Sequence, residues 1–189
     1  MKHSAAWQFQ QDKTQNWAYM NNVFTPEECN QIIALGNTKL QAPTTIGENN
    51  GARECKIAWL YAEDIEFAFR RVTDVVLHIN EQYFNFDLFG MAEGFQFTRY
   101  DAPVDHYSMH IDKTLNHQVR KLSLTIELSL PEEYEGGELM MQIDPEPELI
   151  TKERGKITVF PSYVLHGVRP VTKGTRYSLV AWVTGKPFR

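Results

Sequence analysis

The sequence predicts an α+β domain, mainly β, in which N-terminal helices back a β-sandwich or jelly roll. Two observations carry that expectation. Ile65, Phe69, Val72, Val76 and Ile79 recur at steps of four, three, four and three, the apolar stripe of one helical face. From about Phe86 onward the chain breaks into short β-rich runs, "GFQFTRY", "KLSLTIELSL", "GELMMQI", "GKITVF" and "RYSLVAWV", parted by Pro, Gly and acidic turns. Helices first, then seven or eight short strands, is the order of a layered β domain with a helical flank. The expected division is one domain over 1–189, with 1–85 as an α/β flank and 86–189 as the β core.

The first helix starts at "TPEECNQIIALGN". Thr25 is a capping residue, Pro26 suits the first helical position, and Glu28 stands three after the cap, the pattern of a capping box. Ile32 and Ile33 follow, and Gly36 predicts the helix end. "QAPTTIGENNGA" (41–52) is dense in turn formers and reads as a mobile loop. "CKIAWLY" (55–61) alternates like a strand. In "KLSLTIELSL", Leu122, Leu124, Ile126 and Leu128 face one way, and Ser123, Thr125 and Glu127 the other. Such a polar face normally meets solvent, unless the strand lines a cavity.

Composition narrows the function classes. Hydrophobic content of 42% and charged content of 23% are those of a soluble globular protein. Net charge is −5 with no Lys/Arg cluster, which argues against a nucleic-acid or anionic-membrane surface. The two cysteines, Cys29 and Cys55, form no framework, so free thiols in a reducing cytosol are expected, Cys29 as a small core residue. The N-terminus lacks the apolar core of a signal peptide, and no run approaches a bilayer-spanning length. The expectation is a cytoplasmic protein, with nothing that demands more than a monomer.

Chemistry concentrates in four residues. His110 and Asp112 are two apart, so on an extended strand they point to the same face and can chelate one ion. Alone, the pair fits a surface histidine beside an aspartate cap equally well. His166 lies just beyond the strand "GKITVFP", where a lone histidine usually serves a satisfied core or rim role. Arg176 follows ten residues later and shares a strand face with Ser178, Val180 and Trp182. An arginine deep among apolar neighbours needs an anionic partner. Its own strand offers none, which points to a ligand.

Together, His110-x-Asp112, His166 and Arg176 resemble the iron(II)- and 2-oxoglutarate-dependent oxygenases, closest to the prolyl 4-hydroxylase branch with its PKHD-type and hypoxia-factor hydroxylases. "FTPEECNQIIAL", "RECKIAWL", "YDAPVDHYSMHID", "LSLPEEYEGGEL" and "FPSYVLHGVRPVTKGTRYSLVAW" carry the likeness over most of the chain. The resemblance implies a double-stranded β-helix, cupin-like fold. It implies iron(II) on His110, Asp112 and His166, with 2-oxoglutarate and dioxygen as cosubstrates and ascorbate as an accessory. Two imidazoles and one carboxylate leave adjacent coordination positions open for keto acid and dioxygen. The planar fork of Arg176 suits the distal carboxylate of 2-oxoglutarate. By the same resemblance Tyr100 and Ser178 support that carboxylate, Trp182 lines the iron pocket, and Tyr107 stands at its mouth. Arg53 and Trp59, with the loop before them, match the family's substrate-covering loop, and loop 41–54 with the rim near Tyr107 and Arg120 is expected to contact the substrate and set specificity. The implied partner is a proline-containing protein or peptide.

Departures also stand out. Glu127 occupies a position that is apolar or tyrosine in the family, on the face expected to look into the pocket. Cys55 replaces an acidic residue of the hypoxia-factor branch. His106 and His117 fall outside the triad spacing and are expected to face solvent. Competing readings are an oxygenase acting on a free amino acid or small metabolite, a zinc-type jelly-roll hydrolase, and a silent binding module. A hydrolase has no need of Arg176, and a silent module would be expected to have lost a ligand.

Overall fold

A computed structural model describes residues 15–40, 52–112 and 119–187. Its first elements are β1 (Ala18–Met20), α1 (Pro26–Thr38), β2 (Arg53–Glu54), β3 (Lys56–Leu60) and α2 (Ala62–Ile79). Then come β4 (Leu88–Gly90), β5 (Phe95–Asp101), β6 (His106–His110), β7 (Arg120–Glu127) and β8 (Tyr134–Gly136). The chain ends with β9 (Leu139–Gln142), β10 (Glu148–Leu149), β11 (Ile157–Pro161), β12 (Leu165–Val168) and the long β13 (Val171–Gly185).

The strands form two antiparallel sheets. The larger runs β1-β11-β7-β13-β5-β3, with β4 and β8 also pairing with β13. The smaller runs β10-β9-β12-β6-β2. This is the expected jelly roll, with more strands after Phe86 than the seven or eight expected, because β4, β8 and β10 are pieces of two or three residues. The N-terminal flank is no separate layer: β1 and β3 are edges of the larger sheet and β2 is an edge of the smaller.

Both helices cover the outer face of the larger sheet. Ile32 from α1 and Ile65, Val72, Val76 and Ile79 from α2 join Phe95, Phe97, Leu122, Leu124 and Ile126 in one buried cluster. Each such side chain removed from water contributes about 1.5–3 kcal/mol before entropy is counted. The capping box at Thr25 and Glu28 is formed, and Glu28 also reaches Arg71 of α2 at 2.8 Å, tying the two helices together. Cys29 is buried in that core, as expected.

Gly36 does not end α1. The helix runs on to Thr38, and a Cβ at Gly36 would come within 2.5 Å of the Phe97 ring. Its role is close approach of the helix to the sheet. Among the described residues no helix is long and apolar enough to cross a membrane.

Candidate active site

The strand alternation of β7 resolves in favour of a cavity. Leu122, Leu124, Ile126 and Leu128 sit in the helix-covered core, while Ser123 and Thr125 are also buried, on the opposite face. That face meets the smaller sheet across a cavity of about 270 Å³. β13 divides likewise, with Leu179, Ala181 and Val183 in the core and Arg176, Ser178, Val180 and Trp182 lining the cavity.

The cavity brings together His110, Asp112 and His166, whose ligand atoms all lie within 4.8 Å of one another. His110 and His166 are direct partners across the β6–β12 ladder. Asp112 Oδ1 is 3.5 Å from His110 Nε2, and its Oδ2 is 3.3 Å from His166 Nε2. Both Nδ1 atoms face backbone carbonyls two residues upstream, Ser108 at 2.8 Å and Val164 at 2.9 Å. A carbonyl only accepts, so Nδ1 carries the proton and the Nε2 lone pair is left for a ligand. Ser123 Oγ donates to Asp112 Oδ2 at 2.7 Å, Ser162 Oγ stands 3.0 Å from Ser123 Oγ, and the Asp112 amide donates to the Ser162 carbonyl at 3.0 Å. Burial pushes the Asp112 carboxyl up, but the His110 and His166 rings, wherever Nε2 carries a proton in place of an ion, outweigh it and hold the group well below the usual carboxylate range. Two imidazole nitrogens and a carboxylate converging in one cavity suit a borderline divalent metal such as iron(II).

At the other end stands Arg176, fully buried. Here the expectation of no acidic partner is corrected. Arg176 Nη2 donates to Glu127 Oε2 at 2.8 Å and Nε to the same oxygen at 3.2 Å. Glu127 comes from β7, the neighbouring strand, which is why the β13 segment alone did not reveal it. Nη1 faces Ser178 Oγ at 3.3 Å, and Ser178 Oγ lies 2.6 Å from Thr98 Oγ1. Tyr100 is the cross-strand partner of Arg176, with the guanidinium carbon 5.5 Å from its ring.

The remaining expected residues also line this cavity. Tyr107 stacks on His110 with ring centroids 3.7 Å apart. Arg53, buried on β2, lies 5.4 Å from the Tyr107 ring. Arg120 clamps Glu93 through 2.9 and 2.7 Å bonds while its guanidinium covers Trp182 at 3.8 Å. Trp59 packs at 6.3 Å from Trp182. The Trp182 indole N–H has no partner of ordinary geometry, yet it lies close enough to Asp112 to help hold that carboxyl down.

His106 does not face solvent freely: it is half-buried, and its Nδ1 lies 2.9 Å from the Val104 carbonyl, apart from the cluster. His117 and loop residues 41–51 lie outside the described residues. Cys55 is buried with its thiol pushed up to about 11 by desolvation, so it is no nucleophile at neutral pH. Ser123, Ser162, Thr98 and Tyr134 went unassigned in the sequence reading. For Ser123 a signal existed, since it shares the polar face of β7.

Comparison with known proteins agrees with this geometry. Residues 95–184 match the 2OG-Fe(II) oxygenase superfamily. A PKHD-type hydroxylase of Gloeothece citriformis is 39% identical over 90 residues, 46% of this chain and 40% of that protein. A PKHD-type hydroxylase of a Synechococcus strain is 30% identical over 122 residues, 60% of this chain and 54% of that one. The chain thus spans about half the length of the curated relatives it matches. Two solved structures share the fold. A prolyl-4-hydroxylase of Pseudomonas putida superposes with TM-score 0.69 at 22% identity, over 92% of this chain and 95% of that one. A prolyl hydroxylase of Trichoplax adhaerens, in complex with a hypoxia inducible factor oxygen degradation domain peptide fragment, gives 0.74 at 18%, over 90% and 84%.

Proposed function

We propose that the chain, whose residues 95–184 match the 2OG-Fe(II) oxygenase superfamily, is a 2-oxoglutarate-dependent dioxygenase acting as a prolyl hydroxylase on a protein or peptide. The balanced reaction takes substrate C–H, dioxygen and 2-oxoglutarate to C–OH, carbon dioxide and succinate. The observation that carries this reading is that the His110–Asp112–His166 cluster and the buried Arg176–Ser178 pair line one cavity. A hydrolase has no use for the second feature.

In this reading His110 and His166, through Nε2, and Asp112, through its carboxylate, hold the iron. Bound iron(II) supplies the activation of dioxygen. Arg176 and Ser178, with Tyr100 beside them, orient the distal carboxylate of 2-oxoglutarate. Ser123 donates to Asp112 and holds its carboxylate turned toward the two rings. The stacked Tyr107 and the Trp59–Trp182–Arg120 group narrow the mouth, and the apolar walls exclude water, which protects a reactive oxidant. Arg53, Trp59, Tyr107 and Arg120 meet the substrate. The names of the relatives support the peptidyl-proline substrate; a free amino acid is the second candidate.

The test is succinate formation from 2-oxoglutarate with iron(II), followed by mass spectrometry for a +16 Da shift on proline-containing peptides. His110→Ala and Asp112→Ala are expected to abolish turnover; undiminished turnover in either rejects the assignment.

A further inference from the structure

Glu127 is the feature that the proposed reaction leaves unexplained. Its side chain is 12% exposed, and both of its Arg176 bonds end on Oε2. Among the described residues Oε1 has no hydrogen bond of ordinary geometry, and neither has the Tyr134 hydroxyl, which lies close enough to Glu127 to help hold its carboxyl down. Both belong around Arg176: a Cβ on Gly137 would touch Arg176 Cδ at 3.1 Å and Tyr134 Cε2 at 3.1 Å. Glu127 lines a small hollow that shares Thr125 and Leu139 with the main cavity. The guanidinium therefore stands between two spaces, with Glu127 on its Nε/Nη2 side and Ser178 on its Nη1 side.

As it stands the Arg176–Glu127 pair is neutral. A dicarboxylate that seats its distal carboxylate against Nη1 and Ser178 places two anions on one buried cation. The other charged and titratable groups nearby do not make up the difference. Lys152 Nζ is bound to Glu138 at 3.1 Å, and Lys156 Nζ to Thr151 and to Glu153 at 3.3 Å. Tyr100 and Tyr134 are neutral, their phenols pushed up by burial. An uncompensated buried carboxylate is costly enough to be protonated instead.

We propose that Glu127 makes cosubstrate binding proton-linked: 2-oxoglutarate binds as a dianion together with one proton, which Glu127 Oε1 accepts. This rests on the 2-oxoglutarate reading above. The protonated carboxyl can then donate from Oε1 with the Tyr134 hydroxyl close by, Arg176 keeps its charge for the ligand, and the Arg176 end of the cavity gains no net charge from the pair. Burial already pushes the Glu127 carboxyl up and outweighs Arg176, Lys152 and Tyr134, which oppose it, so the group is poised to take the proton. One consequence is that affinity for 2-oxoglutarate falls as pH rises. Another is that a 2-oxo acid lacking the distal carboxylate binds without the proton.

Calorimetry on the iron(II)-loaded protein without oxygen tests this, titrating 2-oxoglutarate in buffers of different ionisation enthalpy from about pH 6 to about pH 9. The expected result is uptake rising toward about one proton per 2-oxoglutarate, with Kd increasing up to about tenfold per pH unit. 2-Oxopentanoate is expected to show no such uptake, and Glu127→Gln to remove it for 2-oxoglutarate. Binding with no proton uptake anywhere in that range overturns the inference alone, as does equal uptake with 2-oxopentanoate or with E127Q. Failure of 2-oxoglutarate to bind at any pH overturns the functional reading, and the inference with it. If E127Q does not fold, the comparison of the two ligands on the unaltered protein decides.

Discussion

His110 and His166 face each other across the β6–β12 ladder, and each ring is oriented by the carbonyl two residues before it. The backbone that forms the ladder thus also sets which nitrogen of each ring is available. Among the described residues the Asp112 carboxylate is set instead by a side chain, Ser123, from the opposite sheet.

Ser123→Ala therefore tests positioning without touching a ligand. Losing a support of this kind typically weakens a metal site about 10- to 100-fold. The expected outcome is a higher iron(II) requirement with kcat at saturating iron largely kept. Ser123→Thr, which retains the hydroxyl, is expected to restore much of the affinity. Equal loss in both variants would point to packing instead.

Arg176→Ala is expected to do two separable things. It removes the cosubstrate anchor, and it leaves the largely enclosed Glu127 without its cation. The second effect costs about 3–5 kcal/mol in comparable buried pairs. Pairing Arg176→Met with Glu127→Leu should recover most of that stability in denaturant titration while 2-oxoglutarate binding stays lost. Recovery of both would show that the pair serves structure alone.

Gly137 has φ +68°, and a Cβ there would press within 2.9 Å of Val171 and 3.1 Å of Arg176. Gly137→Ala should lower stability by about 1 kcal/mol from the backbone alone. It should also raise KM for 2-oxoglutarate several-fold by displacing the guanidinium. Unchanged KM would separate this glycine from the cosubstrate end.

Glu28 offers a pH test far from the site. Its hydrogen bond with Arg71 outweighs burial and holds the carboxyl below its ordinary value. A lowered folded-state value means that the stabilisation is present above the unfolded carboxylate range and is lost as pH falls through the lowered value. Partial exposure of the pair limits it to about 1 kcal/mol. Glu28→Gln should reduce Tm at neutral pH and converge with the unaltered protein as pH falls below the ordinary carboxylate range and Glu28 is protonated.

Local patterns determined much of this protein from its sequence. The capping box of α1, the stripe of α2, the alternation of β7 and β13, and the His110–Asp112 pair are all short-range or periodic signals, whereas His166 and Arg176 are joined to that pair only by resemblance to a known family. They are legible because helix and strand geometry maps sequence spacing directly onto faces. Tertiary structure alone decided what each face meets. Packing of the helices against the leucine face of β7 turned Ser123, Thr125 and Glu127 inward, where a free-standing strand would have shown them to water. Pairing of Ser178 with Glu127 in the β7–β13 ladder brought a carboxylate 49 positions away onto Arg176. Ladder register is set by the burial of whole sheets, so no window of the sequence around either residue contains it.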